Sequence, residues 1–281
     1  MLKKFTPPFS NEIYEQLTQW VSQQQNMRGI NIEVPMNLSS VLEEDDGSPD
    51  YIYIMYEGDK MTAAASVVDL LKTKDYEIGF AARNEQTAKG LIGKVHQDLL
   101  SLFPTTITAV IDQRATHEKN ALLELEANYE LCEAQLMVCK LNVEKPDVPI
   151  KLMEYHSSRH MDYREVLMES FGDSVEEAEA IIQLSLSQPS RTLYGIHVNG
   201  EMVGTINLIR SDAAFITALA VHPTHQKKGI GRVGLYEAVN MLFEEGYQSV
   251  FLDVETKNTH ALKLYEEVGF QIQYMFEFFR M

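Results

Sequence analysis

Two stretches of the chain alternate apolar and polar residues on both sides of a tight turn. Residues 192–209, TLYGIHVNGEMVGTINLI, turn at Asn199-Gly200, and residues 51–68, YIYIMYEGDKMTAAASVV, turn at Gly58-Asp59. Asn, Asp and Gly accept the positive φ that short hairpins require, so each stretch predicts two antiparallel strands. The same succession follows each hairpin. An unbroken apolar run, 214–221 or 76–82, predicts a buried strand. A glycine-bearing loop and a helix come next. Leu235, Ala238, Val239 and Leu242 share one helix face, and so do Ile92, Val95, Leu99 and Leu102. Gly246 and Pro104 end the two helices. A strand (249–254; 107–112), a short helix and a last apolar strand complete each copy. The pattern repeats at roughly 140 residues, a domain-sized period. It predicts two α/β domains of one fold. The segment KLNVEKPDVPI, 140–150, carries Pro146 and Pro149 and reads as the linker, giving domains 1–145 and 150–281.

The chain has 281 residues, is 45% apolar and carries a net charge of −17, shared similarly between the halves. That acidity disfavours nucleic acid and anionic membranes as partners. It suits solubility, or attraction of a cationic acceptor. Two cysteines, Cys132 and Cys139, fit neither a redox pair nor a zinc site, and point to a reducing compartment. The opening MLKKFTPPFSNEIYEQL has no apolar core of a signal peptide, and no run is long enough to span a membrane. A cytoplasmic protein is expected.

Against this acidity, HQKKGIGR, 225–232, concentrates cations. It lies between the apolar strand and the amphipathic helix. Gly229 and Gly231 at a helix entry let the backbone turn and an anion approach, and the first-turn N–H groups face that anion. Lys227, Lys228 and Arg232 add full charges around it. A polyphosphate is the ligand this suits. The loop is too short for a Walker sequence and lacks the third glycine of a dinucleotide fingerprint. Downstream, NTHALKLYEEVGF, 258–270, opens on Asn258, a helix N-cap, and closes on Gly269.

These two motifs, LAVHPTHQKKGIG and NTHALKLYEEVGF in order, resemble the coenzyme-A-binding core of the GNAT-type N-acetyltransferase superfamily. The match is specific over the C-terminal half and rests on pattern alone in the N-terminal half. The resemblance implies two tandem domains, each a mixed, mostly antiparallel twisted sheet flanked by helices, the second binding acetyl-CoA as co-substrate. By that resemblance Leu219, Ala220 and Val221 pair with the pantetheine arm. Gln226, Lys227, Lys228, Gly229, Ile230, Gly231 and Arg232 wrap the pyrophosphate. Asn258 and Ala261 meet the arm, and Tyr265 is the general acid. No metal is required. The general base stays open: Thr217 and Ala218 stand where many relatives carry an acid, which leaves Glu255, Asp212 or a water chain.

In the first half the same alignment sets Thr87 against Gln226, Gly90 against Gly229 and Ile92 against Gly231. His117 falls against Asn258 and Glu124 against Tyr265. Ile92 puts a branched side chain on the phosphate path, and Glu124 removes the phenol. Residues 1–145 therefore read as a degenerate copy that either buries an open edge of its partner or shapes the acceptor cleft.

Other groups have bland readings beside sharp ones. His222 with His225, and His156 with His160, fit solvated turns better than metal sites. Ser174 and Glu177 form a capping box. Asp162, Glu165, Glu169 and Asp173 suit a solvated helix face or a cationic acceptor. Tyr155, Tyr163 and Phe171 suit core or cleft. Asn37-Leu-Ser39 is a glycosylation sequon that means little without a secretory signal. Two function classes follow: an N-acetyltransferase acting on a small-molecule or peptide amine by direct attack in a ternary complex, and a catalytically silent acyl-CoA-binding or scaffold module. Oligomeric state is not legible.

Overall fold

The structure, a computed structural model, describes residues 1–41, 48–69, 72–141 and 147–281. The chain forms two compact units, one of Met1–Glu133 with Tyr274–Met281, the other of Ala134–Gln273. Residues 142–146 of the expected linker lie outside the described residues. Among the described residues no helix is long and apolar enough to cross a membrane.

Unit 1 runs β1 (Leu2–Phe5), α1 (Asn11–Arg28), β2 (Tyr51–Glu57), β3 (Lys60–Val68), β4 (Asp75–Ala82), α2 (Glu85–Leu100), β5 (Thr106–Asp112) and α3 (Thr116–Glu124). β6 (Asn128–Val138) starts in unit 1 and passes into unit 2 at Ala134. Unit 2 continues with β7 (Lys151–Glu154), α4 (His160–Phe171), α5 (Val175–Ser187), β8 (Arg191–Val198), β9 (Glu201–Arg210) and β10 (Ala214–Val221). α6 (Ile230–Glu244), β11 (Val250–Glu255), α7 (Thr259–Val268) and β12 (Gln271–Arg280) follow.

In unit 1 the strand order is β1-β2-β3-β4-β5-β12, antiparallel except for the parallel pair β4–β5. In unit 2 the order is β6-β11-β10-β9-β8-β7, with β10–β11 parallel and β7 to β10 antiparallel. Each sheet is thus mixed and mostly antiparallel. The halves exchange their closing strands. β12, which ends the second repeat in sequence, pairs with β5 from Phe276↔Asp112 to Arg280↔Thr108. β6, which ends the first, lies beside β11. The compact units therefore do not follow the linker-based division at 145 and 150.

Both hairpin turns form as the residues dictate: Asn199 and Gly200 have φ of 50° and 86°, and Gly58 has 58°. Leu235, Ala238, Val239 and Leu242 are fully buried on α6, as are Ile92, Val95 and Leu99 on α2. Ser174 and Glu177 form the expected capping box at α5. The first half departs from expectation just after β4. No glycine loop precedes α2. Asn84 caps the helix in a box with Thr87, so the helix already runs through Gly90. Ile92 consequently points into the unit 1 core, not onto a phosphate path.

Candidate active site

β10 is bent at its middle. Ala218 has a φ of 49°, and the register with β9 shifts between Thr217 and Ala220, which marks a bulge. Two buried β9 side chains hold it. Thr205 Oγ1 donates to the Ala218 carbonyl at 2.9 Å, and Asn207 Nδ2 donates to Thr217 Oγ1 at 3.1 Å. Gly204 allows the close approach, since a Cβ there would stand 2.5 Å from the Ala220 oxygen. On its other side β10 pairs with β11 at two rungs only, Ala214↔Val250 and Phe215↔Phe251. The stacked rings of Phe215 and Phe251, 5.2 Å apart, mark where the strands part. Beyond that point the outer backbone of β10 keeps donors and acceptors for a ligand.

The cationic loop follows directly. Lys227 and Gly229 have φ of 60° and 79°, and Gly229 caps α6. The N–H groups of Ile230, Gly231 and Arg232 form the first helical turn and have no intrahelical partner. The helix dipole adds partial positive charge there. Gln226 Nε2 donates to the Val221 carbonyl at 2.9 Å, tying loop to strand. Gly231 allows α7 to come close: a Cβ would meet Leu264 Cδ1 at 3.3 Å. Arg232 reaches Glu267 of α7 at 3.4 Å.

Asn258 caps α7, its Oδ1 accepting the Ala261 N–H at 3.0 Å. Only Val268 of α7 is fully buried. The apolar face formed by Ala261, Leu264 and Tyr265 is half-covered and borders a cavity of about 570 Å³. The end of β10, the loop, the start of α6, α7, and Ser170 and Phe171 of α4 complete its wall. Burial pushes the Tyr265 phenol up to about 12, so it holds its proton at neutral pH.

Every cofactor-site residue expected from the sequence lines this cavity except Lys228, whose ammonium donates to the Thr224 carbonyl at 2.9 Å. Tyr265 lines it as well. The two acids expected as base candidates do not. Glu255 sits 3.5 Å from Lys257, and Asp212 lies in the β9–β10 turn, at the opposite end of β10 from the loop. The histidines have local partners: His222 bonds Thr224 Oγ1 at 2.8 Å, His225 stands 3.6 Å from Glu201, and His160 bonds both Tyr155 and Glu179 at 2.9 Å. Asp162 pairs with Arg159, and Tyr163 is core. Phe171 is half-exposed and faces the cavity.

The sequence reading missed Asp253. Val250, Leu252 and Val254 point into the core, so Phe251, Asp253 and Glu255 share the other face of β11. Asp253 lies two residues past Phe251, as Thr217 lies two past Phe215, so both polar side chains occupy one sheet face at the start of the splay. Asp253 is accessible to solvent and, like Glu255, is not part of the cavity wall; desolvation by the surrounding protein pushes its carboxyl up to about 6. An acid inside the apolar run VFLDV was the available signal.

Residues 155–270 match the Acetyltransferase (GNAT) family. The chain is 34% identical over 73 residues to the [Ribosomal protein bS18]-alanine N-acetyltransferase of Escherichia coli K12, a span of 26% of this chain and 49% of that protein. The Haemophilus ducreyi protein of the same name is 39% identical over 59 residues, 21% of this chain and 41% of its own. The chain thus spans about half the length or less of these curated relatives. Among solved structures, a GCN5-related N-acetyltransferase from Sphaerobacter thermophilus shares the fold at a TM-score of 0.77 and 16% identity, covering 100% of this chain and 95% of its own. A tandem GNAT protein from the clavulanic acid biosynthesis pathway does so at 0.71 and 11%, covering 100% and 98%.

Proposed function

With residues 155–270 a domain of the acetyltransferase (GNAT) family, we propose that the chain is an acetyl-CoA-dependent N-acetyltransferase acting on a primary amine by direct attack. One observation carries the reading. The splayed end of β10, the glycine-capped start of α6 and the protonated Tyr265 border a single cavity. The residues suit the co-substrate: a helix N-terminus ringed by Lys227 and Arg232 for its phosphates, and strand backbone for its amide-bearing arm. When bound, acetyl-CoA supplies the activated acyl thioester.

The chain's own groups then divide the work. Asp253, ionised above about pH 6, takes the proton from the acceptor nitrogen. N–H groups of the splayed strand offer donors to the developing oxyanion. Tyr265 gives its phenolic proton to the departing thiolate. Asp253 thereby joins Glu255 as a candidate base, neither of them part of the cavity wall, and Tyr265 remains the acid.

The acceptor is an amine. The curated relatives are named for an alanine of ribosomal protein bS18, which favours a peptide amine. A net charge of −17 also suits a cationic acceptor. Cys132 and Cys139 are not joined in a disulfide, which accords with the reducing, cytoplasmic setting expected from the sequence. Residues 1–145 read as the degenerate partner and 150–281 as the acetyltransferase domain, the two having exchanged closing strands.

Titration calorimetry with acetyl-CoA, then thiol-release assays with alanyl peptides and small amines, tests the proposal. One binding site per chain and thiol release with an amine support it. Tight binding with no release across the amine panel would leave an acyl-CoA-binding module. No binding would overturn both readings.

A further inference from the structure

Ser170 stands in the last turn of α4, and its Oγ is buried with no hydrogen-bond partner among the described residues. A serine inside a helix commonly bonds a carbonyl of the preceding turn. Two helical hydroxyls elsewhere in the chain do so. Ser185 Oγ donates to the Ile181 carbonyl at 2.8 Å, and Thr18 Oγ1 donates to the Tyr14 carbonyl at 2.8 Å. A buried hydroxyl without a partner is costly, and alanine would suit the helix better. Ser170 does not belong to a closed core. It lines the wall of the cavity together with Leu219, Ala220 and Val221 of β10 and Tyr265 of α7.

The packing of α4 says which part of the cavity this is. Val166 and Leu167, four and three residues back, share the helix face of Ser170. Both lie in the core cluster that holds Ala220, and Ala218 packs against that cluster. Ser170 is one turn further on, beside the bulge where β10 parts from its neighbour. The earlier turns of α4, with Arg159, Asp162 and Val166, border His222 and Thr224 at the start of the cationic loop. The loop and Ser170 thus lie toward opposite ends of the helix. That places Ser170 at the acyl end of the cavity, away from the phosphate end.

We propose that Ser170 is an oxyanion donor for the acyl transfer: its hydroxyl donates to the thioester carbonyl oxygen, beside the N–H groups of β10. The inference rests on the acetyltransferase reading given above. An uncharged alcohol is too weak a base to take the amine proton, but it is a ready donor to an oxygen that gains charge. As the amine attacks, Ser170 and the strand N–H groups tighten their hydrogen bonds to that oxygen. Ser170 keeps its proton throughout. When the carbon–sulfur bond breaks, the thiolate takes its proton from Tyr265. A donor fixed in place and shielded from bulk water favours the transition state over the ground state.

The test compares wild type, Ser170→Ala and Ser170→Thr in the full chain. Ser170→Ala removes the donor, and Ser170→Thr keeps it. The expected result in Ser170→Ala is a fall of kcat and kcat/KM together by about 10²-fold, with the amine KM unchanged. Calorimetric affinity for CoA, which has no acyl oxygen, is also unchanged. Ser170→Thr retains most of the rate. Carbon NMR of acetyl-CoA labelled at the carbonyl carbon, bound without an amine, reads the hydrogen bond apart from turnover. Its signal moves upfield in Ser170→Ala, because a donor to the oxygen deshields the carbon. An unmoved signal with kcat intact overturns the inference. Equal losses of affinity for CoA and acetyl-CoA would put the hydroxyl on the pantetheine arm. A raised amine KM with an unmoved signal would put it on the acceptor. Either result overturns the inference, as does a Ser170→Thr variant as slow as Ser170→Ala. In each of these cases turnover by the wild type leaves the acetyltransferase reading standing. A wild type that binds no acetyl-CoA overturns that reading and this inference with it.

Discussion

β4 and β5 in unit 1 stay paired over five parallel rungs, from Asp75↔Thr106 to Gly79↔Val110, where β10 and β11 in unit 2 part after two. The strand ends differ in the same sense. At the last residue of β4, the Ala82 N–H donates to Glu118 Oε1 at 2.9 Å and the Ala82 carbonyl accepts from Arg28 Nη1 at 3.1 Å. Glu118 is fully buried and forms a bidentate pair with the same Arg28. Those peptide groups are satisfied by the unit's own side chains. The end of β10 keeps its outer peptide groups facing a cavity. α2 starts at Glu85 with a capping box, where unit 2 spends the corresponding residues on a left-handed, glycine-capped loop. Glu124, in the place of Tyr265, is ion-paired to Lys89. One fold thus serves two ends. A closed strand pair with an internal ion pair makes a scaffold, and an interrupted pair with open backbone makes a binding groove.

The comparison breaks most sharply at the proton-transfer groups. Tyr265→Phe is expected to lower kcat by about 10²–10⁴-fold while acetyl-CoA affinity holds, measured by steady-state kinetics beside calorimetry. Glu124→Gln, its positional counterpart in unit 1, leaves both unchanged, and a matching loss there would show that unit 1 is catalytic. Next in size is the ion pair. Glu118→Ala strands Arg28 and orphans the Ala82 N–H, so unfolding free energy falls by about 3–5 kcal/mol in denaturant titration. Gly231→Ile forces a branched side chain against Leu264 and removes most acetyl-CoA binding; retained affinity would mean that the close approach of α6 and α7 is dispensable. The pH profile is gentler. Asp253 must be ionised to accept a proton, so kcat/KM rises with pH through about 6 and levels above it. Lys89→Ala, on an exposed pair, changes stability by less than about 1 kcal/mol.

Much of this was legible in the residues. Hairpin turns at Asn199-Gly200 and Gly58-Asp59, the apolar strands before each helix, the caps at Ser174 and Asn258 and the glycine loop are local signals, and local chemistry decides them. What escaped reading was non-local. The runs CEAQLMV and YMFEFF are apolar enough to complete either sheet, and nothing in their alternation says which. Asp253 looked like one acid in a strand. Its significance depends on the break in β10–β11 pairing after Phe251 and on the desolvation that raises its carboxyl, neither of which is local to the run. Asn84 and Thr87 did carry a cap signal that overrides the glycines behind them, and the repeat alignment obscured it.

The exchange of β6 and β12 also sets a timetable. On a ribosome, Met1–Glu133 is made before any of unit 2, yet its sheet is completed by Tyr274–Met281, which is made after all of it. Until then β5 presents an unpaired edge, the kind of surface that invites wrong strands. The first unit begun is therefore the last one closed, and a chain cut at the linker yields two fragments, each ending in the strand that belongs to the other.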